Sequence, residues 1–354
     1  NLKQDLYICF VDFTSAFDTV PRDLLWQRLQ DLGVPQELQN AVYRLYERVL
    51  AKIPTSSTQT VSNIGVKQGC PLSPTLFGLY IDQLEQWLDS NGGGGPHLAQ
   101  YIIRQLLYAD DVSLLAHTVA SMQEHLHALE TFCAVTGLKV NLQKTKLLVI
   151  QSSKHAIPAI YYAGQQAEVV DTYKYLGIEF STNTLWDTCI NRRISAGWKA
   201  LYAMQNSCFK ADIFDWPRKA HLFRALVEPV LLYGAEVWGP AISAKTWASL
   251  ESIQKSFLTH SLGIKASVQY EILLQETGFL PLQCSGMQRH IKYIKKVRAM
   301  PEGRYPKIAL TVAASPQRLK RCWKEHCNAW YSMWSIQYDT CMMLPLTGRN
   351  TVDH

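Results

Sequence analysis

Asp110 and Asp111 stand side by side in the stretch YIIRQLLYADDVSLLA, between two apolar runs and with no Lys or Arg within five residues on either side. Carboxylates beside an apolar interior either hold their protons to higher pH or need a positive partner. Here the partner is a distant basic side chain or a metal ion. A third carboxylate, Asp12, ends the strand-like run DLYICFVDF. Pairing of that strand with a hairpin at 102–115 brings three carboxylates to one edge of a sheet. Such a set suits hard divalent cations, and Mg²⁺ in particular keeps waters and is shared with substrate phosphates. Two such ions activate an attacking hydroxyl, stabilise a leaving oxygen and neutralise charge on a phosphoryl group. Each piece taken alone has a plainer reading, an Asp capping a strand end or a solvated Asp-Asp turn.

The elements around these residues must position them. Pro21 opens a helix with Leu24, Leu25, Leu29 and Leu32 on one face, ended by Gly33, and Pro35 starts a second through Leu38, Val42, Leu45 and Val49. Residues 54–66 are polar and β-prone and predict a hairpin. SPTLFGLYIDQLEQWLD predicts one helix, N-capped by Ser73, with Phe77, Tyr80, Leu84 and Trp87 as its stripe. NGGGGP at 91–96 predicts a flexible loop. Strand formers on both sides put the Asp pair at a hairpin turn. SMQE at 121–124 is a capping box that opens a helix to Gly137, and TKLLVI returns as a strand. This order predicts an α+β fold, a sheet with helices packed on one face. A boundary is expected near 185–190, where YKYLGIEF gives way to helical patterning; beyond about 300 the pattern loosens.

Composition narrows the class. The chain has 354 residues, 47% of them hydrophobic, and no run approaches the roughly 20 uncharged residues of a membrane span, so a soluble protein without a membrane partner is expected. Nine scattered cysteines without a C-x-x-C pair predict reduced thiols and an intracellular setting. Cys322 and Cys327, beside His326, lack the spacing of a zinc finger. Residues 1–150 hold 11 Lys and Arg against 14 Asp and Glu, a balance of −3, whereas 151–354 hold 24 against 15, a balance of +9. A basic half joined to an acidic half fits a polyanion held beside a carboxylate site. The chain opens without Met directly into a strand-like run, as a piece of a longer protein does.

Five stretches then occur in order: FVDFTSAFD at 10–18, GVKQGCPLSPTLF at 65–77, YADD at 108–111, GLKVNLQKTK at 137–146 and YKYLGIEF at 173–180. Together they resemble the successive palm motifs of reverse transcriptases, specifically those of non-LTR (LINE-like) retrotransposons. LVEPVLLYGAEVWGP and LGIKASVQYEILLQETGFLPLQ resemble segments that follow the polymerase in such elements, so the likeness spans roughly residues 5–285. The resemblance implies a right-hand palm over 1–185, a helical thumb or connection over 186–300 and an extension of unclear structure over 301–354, with the fingers largely missing.

It also implies an RNA-directed DNA polymerase that extends a DNA primer on an RNA template with dNTPs and two Mg²⁺ ions, for which Mn²⁺ can substitute. Asp12, Asp110 and Asp111 become the catalytic metal ligands, Asp111 less directly than the others. Phe17 becomes the aromatic that blocks a ribose 2′-OH, and a core aromatic is its plainer reading. Gln68 and Gly69 match the loop that contacts incoming nucleotide and template, or else an ordinary turn. Lys144 matches a residue near the triphosphate, with Lys146 as competitor, and Asp18 takes a capping or structural role. Tyr175, Leu176 and Gly177 match the grip on the primer 3′ end. Arg289, Lys292, Lys295, Lys296 and Arg298 form a basic cluster, either for phosphates or a solvated helix face. Nuclear localisation follows for an element of a eukaryote. Competing readings are a group II intron maturase or telomerase-like relative, and a non-catalytic nucleic-acid-binding remnant.

Overall fold

Leu6–Val11 is buried along nearly its whole length, as a strand covered on both faces must be. The computed structural model, which describes residues 4–47, 49–52, 59–182, 186–314 and 323–333, makes this strand (β1) the centre of a five-stranded sheet. The other strands are β2 (Gln105–Tyr108), β3 (Asp111–Ala116), β4 (Lys146–Ile150) and β5 (Glu168–Val169), in the spatial order β5-β4-β1-β3-β2. All neighbours are antiparallel except β5, a short edge strand parallel to β4.

The two faces are covered differently. Tyr7, Cys9 and Val11 join Val112, Leu114, Leu147 and Val149 in the larger core. Helices α1 (Arg22–Asp31), α2 (Gln36–Tyr46), α3 (Ser73–Ile81), α4 (Gln83–Asn91) and α5 (Val119–Thr136) all contribute to that core. The alternate residues Ile8 and Phe10, with Leu115 and Leu148, are covered by Tyr173 and Tyr175 instead. The α+β sheet with helices on one face is therefore what forms.

Local expectations shift in several places. The helix over 73–89 is two helices meeting at Asp82, and the Ser73 hydroxyl is buried and donates to the Lys67 carbonyl rather than capping. The helix opened by SMQE begins earlier, because Thr118 accepts the Ser121 N–H. The hairpin expected at 54–66 has arms at Leu50–Lys52 and Gln59–Val61; its tip lies outside the described residues. The glycine run is packed, not loose. Gly93 donates its N–H to His125 Nδ1 at 3.2 Å, and its carbonyl accepts from Arg104 Nε at 2.9 Å. Composition alone predicts a flexible loop, but these glycines serve close backbone approach to α5.

Contacts divide the chain into two units, Asn1–Tyr175 with Ser181–Thr184, and Leu176–Phe180 with Leu185–His354. The second is helical, with α6 (Asp187–Lys210), α7 (Ala244–Leu262) and α8 (Leu282–Arg298) around Leu201, Phe223, Trp238, Trp247 and Phe257. Phe223 and Phe257 stack at 4.3 Å. The turn Phe223–Val227 is a wide π turn just before Pro229, whose ring lacks an N–H and crowds the carbonyl four residues back. Past residue 300, where no element was predicted, helices Tyr305–Ala314 and Trp323–Ser332 form. The latter buries Cys327, Trp330 and Tyr331, an i, i+3, i+4 stripe. No helix among the described residues is long and apolar enough to cross a membrane.

The packed glycines make a test. A Cβ on Gly93 falls 2.6 Å from Ser121 backbone atoms, whereas on Gly94 it meets only the Ser121 hydroxyl at 3.6 Å. Gly93→Ala is expected to destabilise by about 1–3 kcal/mol in denaturant melts, and Gly94→Ala to lie near zero. Equal tolerance at both positions would mean the run is a loose loop.

Candidate active site

The register of β1 against β3 pairs Val11 with Val112, so one step further Asp12 stands opposite Asp111. Tyr108 pairs with Asp111 across the β2–β3 hairpin, leaving Ala109 and Asp110 as a two-residue turn. The sheet thus carries all three carboxylate positions to one end of adjacent strands. Ala109 has φ +54°, in the left-handed region that an L side chain adopts at a cost of roughly 1–2 kcal/mol.

The segment before β4 fixes Asp12. Its N–H donates to Thr145 Oγ1 at 3.2 Å, and its carbonyl accepts from the Asn141 N–H at 2.7 Å. Lys144 Nζ lies 3.7 Å from Asp12 Oδ2, an ion pair too long to be a hydrogen bond, and that oxygen is buried without a hydrogen-bond partner. Lys144 is therefore the distant basic partner of Asp12. Lys146 pairs with Glu168 instead, which takes it out of that competition. Among the described residues neither Asp110 nor Asp111 has an ion pair. Burial first, then the charges of Asp110 and Asp12, hold the Asp111 carboxyl above the usual carboxylate range. Burial, then Asp12 and Asp111, likewise raises the Tyr173 phenol.

Among the described residues no three carboxylate, imidazole or thiolate groups are gathered closely enough to hold a metal ion by themselves. The three carboxylates expected as ligands share one sheet edge without closing into a ligand set by themselves. Like charges on one sheet edge repel, and Lys144 engages Asp12. The residues nonetheless fit a divalent cation that brings its own waters: Asp12 offers an orphaned buried oxygen, and burial and then two neighbouring negative charges disfavour the Asp111 carboxylate.

Phe17 is half-buried and stacks on the fully buried Phe77, ring centroids 4.8 Å apart. Gln68 Nε2 donates to both carboxylate oxygens of Asp18, at 2.8 and 2.9 Å. Asp18 therefore holds Gln68, and α1 starts from Pro21 without a side-chain cap. Gly69 has φ +77°, with nothing within 4 Å of where a Cβ would stand, so its loop is open on that side.

Tyr175 stays with the carboxylates, its hydroxyl 3.4 Å from the Asp111 carbonyl and its ring against Phe10. Leu176 and Gly177, with φ of +47° and +78°, form the turn after it. In the second unit, Tyr233 Oη donates to the Leu176 carbonyl at 2.8 Å, Arg193 donates to the Gly177 carbonyl, and the Arg193 guanidinium lies 4.8 Å over the Tyr233 ring. The basic cluster lies on α8, where Arg289 is half-buried 3.9 Å from Glu228, Lys295 is half-buried, and Lys292, Lys296 and Arg298 are exposed. Sequence reasoning missed Thr145, Tyr233, Arg193 and the buried Arg22. Thr145 and Tyr233 lie within the quoted stretches and Arg22 shortly after one, whereas nothing local marked Arg193.

The sequence profile of the family described as reverse transcriptase (RNA-dependent DNA polymerase) matches residues 1–180. The chain belongs to that family, whose enzymes are generally divalent-metal nucleotidyltransferases. Its similar curated proteins come from retrotransposable and mobile elements. It is 31% identical over 49% of its length to the Pol polyprotein of the type-2 retrotransposable element R2DM of Drosophila melanogaster, covering 18% of that protein. It is 26% identical over 71% of its length to the R2 polyprotein of Popillia japonica, covering 36% of it. It is 22% identical over 90% of its length to the RNA-directed DNA polymerase from mobile element jockey of Drosophila melanogaster, covering 35%. The chain thus spans well under two thirds of each of these proteins. A solved telomerase from Candida tropicalis, 13% identical, aligns over 88% of this chain and 49% of its own at a TM-score of 0.40.

Asp111 gives a prediction with a definite sign. Its folded-state pKa is raised, so the unfolded chain ionises first and folding stability falls as pH rises from the ordinary value of about 3.9 through the raised one. Asp111→Asn is expected to raise Tm near pH 7 and to leave it unchanged near pH 3. Millimolar Mg²⁺ or Mn²⁺ is expected to raise the parent's Tm near pH 7, and less so in Asp12→Asn. A lower Tm for Asp111→Asn near neutral pH would show that the carboxylate is a stabilising contact.

Proposed function

We propose that this chain is the palm-and-thumb part of an RNA-directed DNA polymerase of a non-LTR retrotransposon, which extends a DNA 3′ end on an RNA template. The observation that carries the reading is the β1–β3 register, which sets Asp12 opposite Asp111 beside the Ala109–Asp110 turn, within the stretch matched by the family.

Asp12, Asp110 and Asp111 are the residues that would hold two divalent ions, Mg²⁺ or Mn²⁺. When bound, these ions supply charge neutralisation at the transferred phosphoryl group and activation of the primer hydroxyl. The chain's own residues do the rest. Lys144, an exposed cation beside Asp12, attracts the triphosphate. Phe17, backed by Phe77, forms a firm wall against a ribose 2′-OH. Gln68 and Gly69 offer an open loop to the nucleotide, and the Tyr175–Gly177 turn bears on the primer end. The exposed cations of α8 are a candidate phosphate-binding face.

The test uses the full polyprotein of the element, primer extension with dNTPs and Mg²⁺, and separate measurement of RNA binding. Asp110→Asn keeps the side-chain volume and is expected to lower extension by about 100-fold or more, with RNA affinity and its salt dependence retained. Loss of binding and extension together would assign Asp110 to the fold. A folded parent that binds template and never extends a primer would establish a non-catalytic binding protein instead. Phe17→Ala is expected to admit ribonucleotides; an unchanged preference for dNTPs would make Phe17 a core residue only.

A further inference from the structure

Arg22 is a charged side chain only 7% exposed, and among the described residues it has no carboxylate partner. Its guanidinium is held by backbone carbonyls. Nε donates to Gly65 at 2.9 Å, Nη1 to Ser62 at 2.7 Å and more weakly to Tyr46 at 3.4 Å, and Nη2 to Ile64 at 3.2 Å. Three of these carbonyls belong to the loop that leads into Gln68 and Gly69. That loop therefore wraps around one planar cation.

The backbone reciprocates. Gly65 donates its N–H to the Val20 carbonyl at 2.8 Å, and Val66 donates to the Phe17 carbonyl at 2.7 Å. Pro21 and Ile64 form a bridge. Gly65, at φ +81°, lies so close that a Cβ would fall 2.6 Å from the Asp18 carbonyl oxygen. At the other end the Asp18 carboxylate takes both hydrogen bonds from Gln68 Nε2. The stretch 17–22 and the stretch 62–68 are thus cross-braced at both ends, by Arg22 far from the open loop and by Asp18 next to it.

We propose that this brace determines sugar selection: Arg22 and Asp18 are positioning residues that fix the gap between the Phe17 ring and the Gln68–Gly69 loop. The inference rests on the nucleotide-pocket reading given above. Exclusion of a 2′-OH is a matter of distance, and a wall excludes one oxygen atom only if the opposite wall stays within about 0.5 Å of its place. The Phe17 side is fixed by its stack on Phe77. The opposite side is an exposed loop with a left-handed glycine. Lys67 is tied to Tyr46 and Ser73, and Gly65 and Val66 to the backbone of Val20 and Phe17. The side-chain contacts that tie the loop to the 17–22 stretch are those of Arg22 and Asp18. A lysine at 22 has its three donors on one nitrogen and cannot span the four carbonyls that the three guanidinium nitrogens reach. An asparagine at 18 offers Gln68 one acceptor oxygen in place of two.

The experiment measures kcat and KM for a dNTP and its matching rNTP in the full polyprotein, for Arg22→Lys, Asp18→Asn and their combination. Each single variant is expected to lower dNTP-over-rNTP discrimination by about tenfold through KM, with kcat for the dNTP and template affinity little changed. The double variant is expected to lose no more than the worse single, since both act through one brace. General destabilisation lowers active enzyme and moves no ratio, so the ratio isolates positioning. Asp18 is exposed, which keeps a folded variant available should Arg22→Lys misfold. Unchanged discrimination in folded Asp18→Asn and Arg22→Lys, with Phe17→Ala still admitting rNTPs, would overturn the inference alone. Unchanged discrimination in Phe17→Ala as well would overturn the pocket reading, and the inference with it.

Discussion

The pairing register of β1 with β3 is the constraint on which the site depends. Cys9 opposite Leu114 and Val11 opposite Val112 carry Asp12 opposite Asp111. A slip of one residue would exchange the two faces of β1, turning Tyr7, Cys9 and Val11 out of the helix-covered core. It would also take Asp12 away from its partner position. The burial that stabilises the sheet therefore specifies the chemistry at its edge, without any direct attraction between the acidic groups.

Asp111 is held against its own preference. Its carboxylate is disfavoured first by burial and then by two other carboxylates, and Ala109, at the start of the same turn, takes a left-handed backbone. Both features oppose folding and are tolerated because the strand that follows is buried from Val112 to Ala116. A rigid apolar scaffold with a strained, charged turn at its tip is the arrangement expected where function opposes stability.

Hydrogen bonds to backbone carbonyls recur wherever a loop of the candidate site must keep its shape. Arg22 gathers the carbonyls of Ser62, Ile64 and Gly65, while Arg193 and Tyr233 hold those of Gly177 and Leu176. Carbonyl oxygens are fixed by the main chain, so binding them immobilises a loop without constraining which side chains it presents. An arginine suits this task because its donors lie in one plane and remain charged.

By itself the sequence determined the α+β class, the strand that ends at Asp12, the acidic hairpin and the ordered motifs, since these rest on local periodicity and on residue types found at fixed spacing. It also marked the helix limits at Gly33 and Gly137, where a left-handed residue is needed. Tertiary structure alone decided that Lys144 serves Asp12 and Lys146 serves Glu168, because two lysines two residues apart are alike until strands place their partners. It likewise turned the glycine run from a loose loop into a close contact with α5, and gave Asp18 to Gln68. Arg22 shows the physical reason most plainly: an arginine after a proline reads as a solvated helix start, and only carbonyls brought from 40 or more residues away make it a buried clamp.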